Sequence, residues 1–305
     1  MMAVPKIWLY GLLFAIISIA MFPKVELPSK PQDATLDLFQ AVMTVPEGET
    51  IILMSDWTVS TRGENGGHLE ALLRILMRRN IKFALMATAA PEAMQVARDT
   101  IGRINRERAE DGARRYEKWV DYVEIGYFPN VEGIFNAMGN NLRTAWAGKT
   151  DLQPGVGQVD VFKSPVLEKI RRVEEVALIV DIHASGVAYR MIERLYGKVP
   201  LFSMCTGVMG PESLNYYSTG QFKGVVVGLN GGVELETLME NGIHPEGANG
   251  AVKAPGRPAI EGFKGMKNKA RATDYYLPLH AGLSLLILAV VIGNIGMFAA
   301  RRRTK

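Results

Sequence analysis

The chain has 305 residues, 48% of them hydrophobic, with a formal net charge of +4. So mild a basic excess, with Lys and Arg interspersed among Asp and Glu, lacks the concentrated patch that phosphate binding needs, and it argues against nucleic acid as a partner. The single cysteine, Cys205, rules out an intramolecular disulfide framework and a multi-cysteine metal site.

In chain order, the first feature is an apolar run, Ile7 to Phe22, with Trp8 and Tyr10 near its start and Lys6 and Lys24 on its flanks. Counted from residue 4 to 22 it reaches about 19 residues, close to the length that spans a bilayer. It ends in Ala-Met-Phe-Pro-Lys, which does not fit a small-x-small cleavage site. A retained transmembrane helix is therefore expected in preference to a signal peptide.

A polar stretch follows, and then a first α/β half over 35–146. The spacing predicts a short helix over Thr35–Thr44 and a buried strand over Thr50–Ser55 that ends at Asp56. The Gly-rich turn Arg62–Gly67 leads into a helix over His68–Arg79, where Leu69, Leu72, Leu73 and Leu76 recur at helical spacing. Lys82–Thr88 reads as a strand, and Pro91 opens the helix that runs to about Arg108. Val120–Tyr127 gives a third strand and Val131–Trp146 a third helix.

A linker is expected over 147–164, where Gly is frequent and Pro154 sits. The second half, 165–242, reads as helix Pro165–Glu175, strand Val176–Ile182, helix Ser185–Tyr196, strand Val199–Met204, helix Pro211–Gly220, strand Gly224–Leu229 and helix Val233–Glu240. Residues 243–274 are rich in Gly and Pro without periodicity, which predicts an irregular linker.

The last apolar run, within 275–300, carries no Asp, Glu, Lys or Arg from Tyr276 to Ala300 and ends in a basic tail, 301–305. Aromatic Tyr275 and Tyr276 and the arginines mark the two interfaces of a transmembrane helix. Ala289, Gly293 and Gly296 form a small-residue face beside Asn294, suited to close approach of another helix. Local basic residues before this helix (Lys264, Lys267, Lys269, Arg271) match those after it (Arg301, Arg302, Arg303, Lys305), but short basic tails weigh more than long domains. Both termini are thus expected in the cytoplasm and the domain outside.

The expected fold is α/β: a doubly wound, mostly parallel six-stranded sheet, with a two-lobed arrangement as the alternative, flanked by N- and C-terminal transmembrane helices. Ligands of such folds bind beyond the carboxyl ends of the strands. Three residues there have catalytic chemistry: Asp56, Asp181 and His183, the last two separated by one residue so that an extended backbone points them to one side. Thr58, Glu64, Ser185, Cys205 and Thr206 are the accompanying ligand-binding candidates. Against them stand blander roles: a loop cap for Asp-x-His, helix capping for Glu64, and a small apolar filler for Cys205. The Arg62–Gly67 turn lacks both GxGxxG and the Walker lysine, so no nucleotide cofactor is expected, and no metal motif is present.

Because these residues form no complete constellation, the expected function is a membrane-anchored interaction or assembly module. Its partners would be the lipid bilayer and either copies of itself, as a homo-oligomer, or other membrane subunits. The alternative is a membrane-tethered hydrolase or small-ligand receptor that uses the crevice.

Overall fold

The computed structural model describes residues 6–23, 30–264, 268 and 271–303. Val4, Pro5, Lys24, Lys267, Lys269 and Lys305, used above for the first span and for the charge comparison, lie outside them.

The elements run α1 (Lys6–Ala20), α2 (Asp33–Thr44), β1 (Thr50–Asp56), α3 (Arg62–Arg78), β2 (Lys82–Ala87), α4 (Glu92–Glu110), β3 (Tyr122–Tyr127), α5 (Val131–Asn140) and α6 (Leu142–Ala145). They continue with β4 (Thr150–Gln153), β5 (Gly157–Asp160), β6 (Ile179–His183), α7 (Ala188–Leu195), β7 (Leu201–Cys205), α8 (Gly210–Ser218), β8 (Val225–Val227) and α9 (Gly228–Asn241). Last come β9 (Gly242–His244), β10 (Val252–Lys253), β11 (Ile260–Glu261) and α10 (Arg271–Arg303). Residues Ser29–Ala272 form one compact unit, and the chain before and after it forms a second.

Six strands make one sheet in the order β3-β2-β1-β6-β7-β8, and every pairing in it is parallel. The two halves thus join edge to edge through β1 and β6, in a single sheet and not in two lobes. Successive side chains alternate between faces, and each face has its own apolar layer. Ile51, Leu53, Val180 and Ile182 pack with α2, α3, α4 and α9, while Ile52, Met54, Ile179 and Leu201 pack with α5, α6 and α7. Strands buried on both faces carry no polar alternation, which is why their sequences read as continuous apolar runs.

Several stretches differ from the sequence reading, among them the Arg62–Gly67 turn, which forms the first turns of α3. The helix expected over Val131–Trp146 breaks at Asn141, which is extended (φ −160°, ψ 118°) and accepts from Thr144 N to cap a new turn. The linker expected near residue 150 contains an antiparallel hairpin, β4 with β5, whose turn holds Pro154 and a left-handed Gly155. The helix expected over Pro165–Glu175 is irregular, with a 3-10 turn only at Val173–Glu175. There Val166, Leu167, Ile170 and Val173 are buried at helix-like spacing, but side chains claim the carbonyls. Lys82 Nζ donates to Pro165 O, Thr50 Oγ1 to Val166 O, and Arg143 to Glu168 O and Ile170 O. The stretch from Ile243 onward holds a small sheet of β10, β9 and β11.

Between α3 and α4 lies a buried ionic network. Glu70, 2% exposed, accepts from Arg74 Nη2 (2.8 Å) and Arg103 Nη2 (2.5 Å), and Arg74, 4% exposed, also meets Glu107 Oε2 at 2.7 Å. Elsewhere in the α/β unit, Ala272 is fully buried between α3 and α9. A methyl group on Gly67 would come within 3.2 Å of the Ala272 Cβ, and one on Gly232 within 2.8 Å.

In the second unit, α10 contains a span, Ala272–Met297, long and apolar enough to cross a membrane. For α1 the expectation of a second transmembrane helix is not shown among the described residues. Its 15 described residues rise about 22 Å at 1.5 Å per residue, against a hydrocarbon core of about 30 Å. The two helices meet at Gly282, where a methyl group would lie 3.4 Å from Ile17 Cδ1 and 3.9 Å from Leu13 Cδ1. Of the small-residue face, Gly296 is buried, Ala289 half-buried, and Gly293 and Asn294 exposed; nothing lies within 4 Å of the Gly293 Cβ position.

Candidate functional site at the switch point of the sheet

From β1 the chain winds outward to β2 and β3, and from β6 outward to β7 and β8. The winding reverses between β1 and β6, so the carboxyl ends of these two strands border the natural crevice of the fold.

The register builds two polar rungs on the face shared with α5 and α7. In the first, Asp181 of β6 lies between Met54 of β1 and Ser203 of β7. In the second, one step toward the carboxyl ends, His183 lies between Asp56 and Cys205. Adjacent strands are about 4.8 Å apart, so the sheet brings Asp56, Asp181 and His183 together. All three are fully buried, as are Ser203 and Cys205.

Each group has a distinct electrostatic state. Asp56 accepts from the Thr88 amide, the Thr88 hydroxyl (2.9 Å) and the Ala89 amide (3.2 Å) at the end of β2. Burial outweighs these bonds and raises its pKa to about 6. Asp181 has no hydrogen-bond partner at either oxygen. Burial, and after it the charge of Asp56, push its pKa well above the usual carboxylate range. Burial lowers His183 to about 4, so the ring is neutral at pH 7. Its Nδ1 lies 3.0 Å from Ser185 O. A carbonyl only accepts, so Nδ1 carries the proton and Nε2 accepts from the Ser203 hydroxyl at 2.9 Å.

A second group of buried polar atoms lies at the start of α3. His68 Nε2 donates to Gly228 O at 2.7 Å, and burial lowers its pKa to about 4. Its Nδ1 is then a bare acceptor, and it has no partner; neither do both ends of the Asn65 amide and the Ser55 hydroxyl. Glu64, in the first turn of α3, accepts from Gly207 N at 2.7 Å and so ties α3 to the loop after β7. The helix start where doubly wound folds hold phosphate thus carries a carboxylate of its own.

The other candidates take different places around these groups. Thr58 is exposed and bonds to Ser60 Oγ. Ser185 is exposed and contributes only its carbonyl, to His183. Thr206 is buried, and its amide donates to His183 O. The Cys205 thiol is pushed up to about 11, mainly by burial, and so stays protonated at neutral pH. Among the described residues no group of three or more His, Cys, Asp or Glu side chains is placed to hold a metal ion. Thr88, Asn65, His68 and Ser203 were not among the sequence candidates. Ser203 carried a signal as a polar residue in an otherwise apolar strand, His68 as a histidine four residues after Glu64, and Asn65 as a possible helix cap.

No family model and no curated relative matches this chain.

Proposed function

We propose that this chain is a membrane-anchored α/β domain that binds a small polar ligand at the switch point between β1 and β6. The observation that carries the reading is Asp181: a carboxyl fully buried with no partner at either oxygen, on the strand where ligands of this fold class bind. Native proteins leave few buried polar atoms unpaired, and those that persist are commonly functional or held by something bound. A role in packing alone would favour an apolar side chain here, as at Ile179 on the same face. Anchoring is supported by the length and composition of α10. To the same proposal belongs a two-pass arrangement with cytoplasmic tails, supported by the basic end of α10. Protease reaching the α/β domain in intact spheroplasts checks it.

The test is a melting-temperature screen of the full-length protein against small amines, carboxylates and sugars. A ligand of this site raises the melting temperature of the natural protein by mass action and leaves Asp181→Asn unmoved. A panel in which no compound separates the two proteins sinks the reading.

Assembly through the membrane is a second reading, supported by the open position at Gly293 on a helix whose Gly282 already seats α1. Helices in lipid associate through close packing, since apolar surface gives them no drive. Gly293→Leu is then expected to shift a detergent-solubilised oligomer toward monomer and to leave the α/β domain folded. A natural protein already monomeric in detergent would discard this reading.

A further inference from the structure

We infer that Asp181 takes a small ammonium-type cation, an ammonium ion or a short primary amine, in exchange for its own proton. This rests on the ligand-site reading above and names the chemistry of the ligand.

The surroundings of Asp181 are poor in donors. The Met54 thioether and the Ser203 hydroxyl flank it on its rung, and the Ser203 proton is already given to His183 Nε2. Its charged neighbour is another carboxyl, Asp56, and no Lys or Arg among the described residues acts on either. An ionised carboxylate left this way in a buried site is costly, so the proton stays on. The protonated acid does no better, because its hydroxyl also has no acceptor.

A cation bearing several N–H groups removes both deficits at once, supplying positive charge and the missing donors. An anion would face two carboxyls. A metal ion lacks the side-chain ligand cluster it needs among the described residues. Both rungs are closed to solvent, so the occupant must be small.

The exchange fixes a pH dependence. The titratable groups around Asp181 are Asp56 on β1, His183 on β6, Cys205 on β7, His68 beside His183, and Glu64, which acts on Cys205. Both histidines titrate at about 4, Asp56 at about 6 and Cys205 at about 11. Near neutral pH the proton of Asp181 is therefore the one the cation competes with, and linkage makes the affinity rise with pH.

The probe is methylammonium chloride, titrated against the full-length protein at constant ionic strength, with the melting temperature as the readout of binding. Expected are saturable stabilisation, an apparent Kd that falls as pH rises from about 7 to about 8, and loss of binding in Asp181→Asn. Asparagine keeps the shape of the protonated acid, so this variant is expected to fold; the pH slope of the natural protein is a second readout that needs no variant. Absence of saturable binding, a Kd that ignores pH, or binding retained by Asp181→Asn would each overturn the inference. If acetate stabilises the protein through Asp181 and methylammonium does not, the ligand site stands and its cationic chemistry is wrong.

Discussion

Asp181→Asn is expected to be more stable than the natural protein at pH 7. In the unfolded chain this carboxyl titrates near 3.8, and in the fold burial and Asp56 push it well above that. The folded state therefore keeps a proton that the unfolded state releases. Stability from such a group is complete below pH 3.8 and is lost as pH rises toward the folded value. Holding that proton above the unfolded pKa costs stability, and the extra unpartnered N–H of asparagine takes back part of the gain.

Urea denaturation at several pH values measures this directly. The gain should vanish as pH falls below about 4. His68 and His183 work in the opposite sense: their folded pKa values are depressed from 6.5 to about 4, so their contribution is complete above pH 6.5 and is lost on acidification through pH 4. Both proteins share that acid limb, and it cancels in the difference. A variant that is equally stable or weaker at pH 7 would mean that Asp181 has a partner and a structural job. A gain would mark it as a side chain kept at the expense of stability, as functional groups are.

Glu70→Ala is expected to destabilise the α/β domain by about 3–5 kcal/mol. Burial alone would raise the Glu70 pKa, but hydrogen bonds from Arg103 and Arg74, reinforced by their charges, bring it below the ordinary glutamate value. Alanine removes the carboxylate from Arg74, which is 4% exposed and keeps only Glu107 on the other side. A buried guanidinium that loses one of its two carboxylates costs more than the lost bonds. The midpoint of chemical denaturation checks this, and a loss below about 1 kcal/mol, the worth of a surface pair, would show that water reaches Arg74. Replacing Glu70 and Arg74 together by apolar residues should cost less than replacing Glu70 alone.

The sequence shows the strands of the sheet well and the site only in part. Continuous apolar runs located β1, β2, β6 and β7, because strands buried on both faces need apolar side chains throughout. The one-residue spacing of Asp181 and His183 put them on one face, and strand-end logic brought in Asp56. Which residues flank them was not legible, since that depends on register between strands distant in sequence. Ser203 stands beside Asp181, and Thr88 holds Asp56, through pairings that no local pattern encodes. The irregular stretch over Pro165–Glu175 misled for a related reason. Its apolar spacing was helical, but its carbonyls are claimed by Thr50, Lys82 and Arg143, whose positions only the tertiary fold sets.

The join between β1 and β6 also governs the order in which the molecule is built. Each flank of the sheet is assembled from neighbouring strand–helix–strand segments, whereas Leu53 meets Val180 only after about 125 residues of chain have been looped back, an entropic toll that grows with loop length. Contacts of long sequence separation form slowly. Asp56 reaches the crevice from one flank, and Asp181, His183 and Ser203 from the other. The two carboxyls therefore come together only when the flanks dock. Until then each remains hydrated and ionised, and the proton on Asp181 is taken up in the closing step of folding, which should be slower at alkaline pH.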